Sequence, residues 1–187
     1  MNNLLILGAG GHGKVIAEAA ELQGKWNKIA FLDDREDIKG IYNSPIVGKV
    51  HEYASLINEY RYAFVAIGNN EKRLELIDKL ISAGFNIPII IHSRASVSKY
   101  SNIDLGTVVL AGTVVNVGTS IGKGCIININ ATVDHDSEIG SGVHISSGAV
   151  VRSMAKVGRL STIGAAACVK SSTILKEKFI LPEGSVI

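Results

Sequence analysis

Cut every six residues, the stretch from Val97 to Val169 reads VSKYSN, IDLGTV, VLAGTV, VNVGTS, IGKGCI, ININAT, VDHDSE, IGSGVH, ISSGAV, VRSMAK, VGRLST, IGAAAC, V. Every unit opens on Ile or Val, from Val97, Ile103 and Val109 through Val133 and Ile145 to Val169. Four residues after each anchor stands a small residue, from Ser101 and Thr107 to Ala167 and Thr173, with Val143 the exception. Three residues after the anchor, glycine recurs at Gly106, Gly112, Gly118, Gly124, Gly142 and Gly148. A helix cannot hold this pattern, because at about 100° per residue a six-residue step sweeps about 600° and successive anchors drift off any one face. A short strand with a corner of about 120° can hold it, and three such units close a triangular coil of about 18 residues. The anchors then fill the prism, the small residues let the corners close, and glycine supplies the positive φ that corners need. The fold class of this part is therefore a left-handed parallel β-helix of hexapeptide repeats.

Residues one before each anchor point outward, and a spacing of 18 sorts them by face. Val108, Ile126, His144 and Thr162 share one face, and Val114, Thr132, Val150 and Cys168 a second. Asn102, Ser120, Glu138, Lys156 and Ile174 share a third, largely polar face. Apolar residues on two outer faces of a rigid rod imply a partner, and a closed ring using two faces per prism fits a cyclic trimer. The outward slots Val108, Val114, Ile126 and Val150 carry this expectation. Residues 174–187 leave the Ile/Val pattern and read as a short C-terminal strand or tail.

Residues 1–92 carry no such repeat. Apolar runs at Leu4–Leu7, Ile29–Leu32, Tyr62–Ile67 and Ile87–Ile91 read as four strands, and Lys14–Leu22, His51–Glu59 and Glu71–Ala83 as helices. Alternating β and α elements predict a small parallel-sheet, Rossmann-like α/β domain. The boundary is expected at 92/93, giving a nucleotide-binding domain over 1–92 and a β-helix domain over 93–187.

Gly8-Ala9-Gly10-Gly11-His12-Gly13 fits G-x-G-x-x-G between a strand and a helix, with Asp33 twenty residues beyond Gly13. Glycines let backbone N–H groups approach a phosphate at a helix N-terminus, which suits any nucleoside diphosphate. A full dinucleotide fold needs about twice this sheet, so NAD is disfavoured. Ligands of open parallel sheets sit beyond the carboxyl ends of strands. That rule puts Gly10, Gly11 and His12, Asp33 and Asp34, and Gly68, Asn69 and Asn70 on one rim.

In the β-helix, Asp134-His135-Asp136 stands between inward Val133 and small Ser137, so His135 faces outward near a corner. A neighbouring carboxylate can hold one imidazole nitrogen and leave the other as a base near neutral pH. The net charge of +2 is too small and scattered to predict nucleic-acid binding. Cys125 and Cys168 have no metal or redox spacing, no metal is expected, and two free thiols point to a cytoplasmic protein. Met1–Gly8 lacks a basic start and a cleavage site, and no apolar run approaches the roughly 18 residues of a membrane span.

The joint order of G-A-G-G-H-G, F-L-D-D (Phe31–Asp34), A-I-G-N-N (Ala66–Asn70), hexapeptide repeats, V-D-H-D (Val133–Asp136) and V-H-I (Val143–Ile145) resembles the bacterial nucleotide-amino-sugar N-acetyltransferases. Sialic acid O-acetyltransferases are close relatives, and the resemblance covers nearly the whole chain. It implies acetyl-CoA-dependent N-acetylation of a UDP-type amino sugar. Sugar O-acetylation, or a non-catalytic trimer that binds nucleotide sugars, remain as alternatives. It further implies a homotrimer with active sites between neighbouring β-helices, His135 as general base and Asp136 as its orienting acid. Asn128 and His144 would lie near the thioester, and acetyl-CoA would run along the later coils near Ala165 and Lys170. Gly10, Gly11, His12, Asp33 and Asp34 would hold the uridine diphosphate. Arg152-Ser153-Met154 departs from relatives, which often carry glycines there.

Overall fold

A computed structural model describes residues 2–187. It divides into two compact units, the first ending at Ile90 and the second spanning Ile91–Ile187. In the first, β1 (Asn3–Leu7), β2 (Lys28–Leu32) and β5 (Tyr62–Val65) are parallel, with α1 (Gly11–Leu22) joining β1 to β2 and α2 (Asn70–Ser82) following β5. β3 (Gly40–Ile41) and β4 (Ser44–Gly48) extend the sheet to the order β3-β4-β2-β1-β5. The central strand β1 is buried on both faces, which is why Leu4–Leu7 is a continuous apolar run rather than an alternating one. α1 lies close on the sheet only because residue 13 is glycine: a Cβ there would stand 2.2 Å from the carbonyl oxygen of Gly8.

Two expectations are corrected in this unit, and one pair of strands is new. The segment read as a helix over His51–Glu59 is a 3-10 turn over Val50–Leu56. The antiparallel pair β3–β4 lies in a stretch that carries no hairpin signal. Ile87–Ile91 supplies no fourth strand to this sheet; β6 (Ile90–Ile91) instead heads a stack in the second unit, where His92 N donates to Val109 O (2.9 Å). Ile91 lies eighteen residues before Val109, so the repeat begins one rung earlier than its Ile/Val anchors from Val97 suggest.

The second unit is the expected prism, with three parallel stacks of six, five and five two-residue strands. The eighteen-residue register is observed directly: Val108, Ile126, His144 and Thr162 pair in series, as do Val114, Thr132, Val150 and Cys168. Residues 174–187 are not a tail. Ile174–Leu175 pairs with Lys156–Val157 and Ile180–Leu181 with Thr162–Ile163, so the coil continues with Leu in the anchor slot. Leu175 and Leu181 are buried at 5% and 4% exposure, which shows the slot asks for an apolar side chain and not for β-branching.

The corner position three after the anchor has positive φ in every unit from Gly106 to Gly184, between +55° and +72°. Glycine fills half of these positions without strain, and Asn130, Asp136, Met154, Leu160, Ala166, Ser172 and Lys178 occupy the rest. Inside the prism, small polar residues bond to the coil above. Thr107 Oγ1 donates to Gly122 O (2.9 Å), Thr113 Oγ1 to Asn128 O (2.8 Å) and Thr119 Oγ1 to Asp134 O (3.0 Å). Buried hydroxyls thus satisfy corner carbonyls that the strand ladder leaves over.

Candidate active site

In the first unit the glycine turn and the end of β2 are tied together by one carboxylate. Asp33 Oδ2 accepts from Ala9 N (2.7 Å) and Arg35 Nη2 (3.0 Å), and Oδ1 from Arg35 Nε (2.8 Å) and Arg35 N (3.0 Å). The Arg35 guanidinium, more than any other group, holds the Asp33 carboxyl far below the usual carboxylate range. Asp34 Oδ1 accepts from Val50 N (3.0 Å) and so fixes the 3-10 turn. Gly10 is the N-cap of α1, and no side chain caps this end. Gly11 is exposed and His12 half-buried on the first turn. A cavity of about 320 Å³ opens here, lined by Gly10, Gly11, Lys14, Arg35, Ile41 and Tyr42 among others.

The Gly68-Asn69-Asn70 loop is knit from within. Asn69 Oδ1 accepts from Lys72 N (2.9 Å) and caps α2. Arg73, only 1% exposed, donates to Ile67 O (3.0 Å), Gly68 O (3.1 Å) and Asn70 Oδ1 (2.8 Å). Sequence reading placed this loop on the rim and missed the arginine that shapes it. The only signal was its i+3 spacing from Asn70, which a helix brings onto one face.

In the second unit His135 and Asp136 are brought together. His135 Nδ1 and Asp136 Oδ2 are 2.8 Å apart. A carboxylate can only accept, so Nδ1 carries the proton and Nε2 keeps its lone pair. The Asp136 bond raises the pKa of the imidazole above its ordinary value. A third residue fixes the backbone: Asp134 Oδ1 accepts from His135 N (2.8 Å) and Asn116 Nδ2 (3.0 Å). The His135 backbone N–H, then the Asn116 amide, lower the pKa of Asp134. Asn116 is found only through the coil, since it lies eighteen residues below Asp134.

Asn128 and His144 meet on a different edge. Asn128 Oδ1 accepts from Ile129 N (2.8 Å), which turns its amide nitrogen toward His144 Nε2 at 3.2 Å. Nε2 is thereby the acceptor, and the His144 proton sits on Nδ1. The Asp134–Ser137 corner and the Asn128–Ala131 corner flank the same strand, Thr132–Val133. Lys170 continues the Asp134 column and Ala165 the Ile129 column, so the residues expected near acetyl-CoA divide between the two edges. The face between those edges carries Val114, Thr132, Val150 and Cys168 outward. Val108 and Ile126, expected as exposed interface residues, are buried at 0% and 1% exposure within one chain. The exposed apolar slots are instead Val114 at 40%, Ile174 at 75%, Ile180 at 72% and Val186 at 62%. No helix among the described residues is long and apolar enough to cross a membrane.

Residues 3–80 match the family described as the PglD N-terminal domain, and residues 118–153 the bacterial transferase hexapeptide (six repeats). A UDP-N-acetylbacillosamine N-acetyltransferase of Bacillus subtilis (strain 168) is 36% identical over 115 residues, or 59% of this chain and 52% of that protein. The chain thus matches about half the length of that curated relative. The acetyltransferase domain of PglB from Neisseria gonorrhoeae FA1090 is 38% identical with a TM-score of 0.96, over 100% of this chain and 91% of that one. The same domain is known in complex with acetyl coenzyme A. PerB from Caulobacter crescentus, in complex with CoA and GDP-perosamine, is 30% identical with a TM-score of 0.92, over 100% of this chain and 89% of that one. Order of motifs, prism register and full-length likeness agree, and the chain belongs to the bacterial nucleotide-amino-sugar N-acetyltransferases, acyl-transfer enzymes that join a PglD-type domain to a hexapeptide β-helix.

Proposed function

We propose that the protein transfers the acetyl group of acetyl-CoA to the amine of a UDP-type amino sugar, with His135 as general base. The His135–Asp136 pair carries this reading. With its proton held on Nδ1 by Asp136, His135 presents Nε2 to the attacking amine. The amine nitrogen bonds to the thioester carbon, the C–S bond breaks, and the amine proton passes to Nε2 while CoA leaves as thiolate. The imidazolium then returns that proton to the thiolate. The products are an acetamido sugar and free CoA, so the reaction balances without a covalent enzyme intermediate. The first unit binds the nucleotide through the glycine turn and the rim around it.

The chain works as a homotrimer. Its site residues lie on two edges of one prism, His135–Asp136 on one and Asn128–His144 on the other. A ring places the first edge of one protomer against the second edge of its neighbour, with Val114 and Val150 between them. His144 Nδ1–H and the Asn128 amide then face the acetyl donor across that boundary.

The test measures CoA release with UDP- and GDP-linked amino sugars against hydroxyl analogues of the same sugars. His135→Ala should lower the rate by roughly 10²–10⁴, the worth of a positioned base, with the fold retained. Mixed trimers of His135→Ala and His144→Ala chains should recover part of the lost activity, because one interface in some rings carries both native edges. Full activity in His135→Ala overturns the base assignment, and absence of recovery in a stable mixed trimer overturns the shared site.

A further inference from the structure

The Asp33 carboxylate is the natural acceptor for ribose hydroxyls or base N–H groups at the end of β2, yet it has no capacity left. A carboxylate offers about four lone-pair sites. Ala9 N and three Arg35 nitrogens supply four donors to them, at 2.7–3.0 Å. The side chain is also 10% exposed, against 50% for that of Arg35. The exposed member of the pair is therefore the cation.

Its direction is set as well. Nε and one hydrogen of Nη2 bond Asp33, while Nη1 makes no hydrogen bond among the described residues, so the Nη1–Nη2 edge is left open. A methyl group on Gly10 would lie 4.0 Å from Arg35 Nη2, so the guanidinium stands beside the turn itself. A methyl group on Gly11 would meet nothing within 4 Å. The open space there belongs to the 320 Å³ cavity that Lys14, one helical turn into α1, also lines. Two cations and the uncapped end of α1 thus converge on one small volume, and the Asp33 charge is neutralised before any ligand arrives. A planar guanidinium with a free edge suits bidentate recognition of phosphate oxygens.

We propose that Arg35, held in place by Asp33, receives the diphosphate of the nucleotide-linked sugar, with Lys14 as the second cation and Asp33 as a positioning residue that does not touch the ligand. This rests on the nucleotide-binding reading of the first unit. It reverses the simplest role for Asp33, which acts through Arg35 and not on the nucleoside.

Calorimetry on the full chain with UDP, UMP and uridine separates the possibilities. Arg35→Met should weaken UDP by roughly 10–100-fold, the range of a lost charge-assisted pair, and leave uridine unchanged. The salt dependence of UDP binding should fall with it. Arg35→Met/Asp33→Asn removes the buried unpaired carboxylate and should show the same loss, which excludes unfolding of the turn as the cause. Equal losses for UDP and uridine, or UDP binding unchanged by Arg35→Met, overturn the assignment while the nucleotide reading stands. A native chain that binds neither UDP nor GDP overturns both.

Discussion

Gly118 lies one coil below Asp136, and replacing it with alanine tests the His135–Asp136 pair without substituting either residue. An alanine methyl there would stand 2.2 Å from Asp136 Oδ1, roughly 1 Å or more inside ordinary contact. Moving the carboxylate by that amount opens the 2.8 Å bond to His135 Nδ1 to roughly 4 Å, beyond hydrogen-bonding reach. The backbone cost is separate. Gly118 has φ +72°, and a side chain in that region costs about 1–2 kcal/mol. The same corner carries Met154, Leu160 and Ala166 elsewhere in the coil, so the prism itself tolerates the change. On the proposed general-base role, neutral His135 is the active form, and its pKa is raised by Asp136. The acid limb of kcat/KM should therefore lie above the ordinary histidine value of about 6.5. In Gly118→Ala the limb should move down toward that value, and the plateau should fall roughly 10–100-fold, short of the full loss from removing the base. Asp136→Asn is the matched control, because asparagine accepts positive φ and removes only the charge; it should shift the limb the same way. The assay is CoA release across pH 5–9 beside thermal melts. A Gly118→Ala chain that is less stable yet keeps its limb and plateau would show that Asp136 does not act through His135.

Two further substitutions probe the scaffold. A methyl on Gly140 would stand 2.6 Å from the backbone nitrogen of Arg159 in the next coil; Gly140→Ala should cost about 3 kcal/mol or more by chemical denaturation, and a cost under 1 kcal/mol would mean the coils can separate locally. Arg73→Met removes the hydrogen bonds to Ile67, Gly68 and Asn70; it should cost about 2–4 kcal/mol, read by the fluorescence of Trp26, the chain's one tryptophan, and an unchanged midpoint would contradict the bracing role.

The prism was legible because its period is global: one six-residue register fixes which side chains face in, and a multiple of three fixes which stack. The same rule found the columns of His135 and His144. It stopped early at both ends, since Ile91 follows a boundary without a repeat of its own and Leu175 and Leu181 lack β-branching. The glycine turn and the strands around it were legible from apolar runs ending in glycine. What stayed hidden were side-chain partners: Arg35 on Asp33, Arg73 on its loop, Asn116 on Asp134. The two arginines bond close neighbours, but an arginine on a polar stretch is more often solvated than structural, and the partner of Asn116 follows only from the coil. The β3–β4 pair was hidden for a related reason, as a two-residue strand leaves too little alternation to read.

The triangular coil also behaves as a reading frame. An inserted hexapeptide would rotate everything downstream by a third of a turn and exchange the roles of the three faces. An inserted set of eighteen would only lift the downstream chain by one rung, about 4.8 Å. His135 and His144 lie nine residues apart, so a frame change between them would part His144 from Asn128, which stays with His135 on the upstream side, whereas one beyond Ile145 would leave both pairs intact. Length variation among proteins built this way should therefore come in whole turns wherever a site straddles the insertion, and in any multiple of six beyond it. Here the stretch beyond Lys170, from Leu175 onward, is the one that can be lengthened by a turn with the His135–Asp136 and Asn128–His144 pairs, Ala165 and Lys170 all left in register.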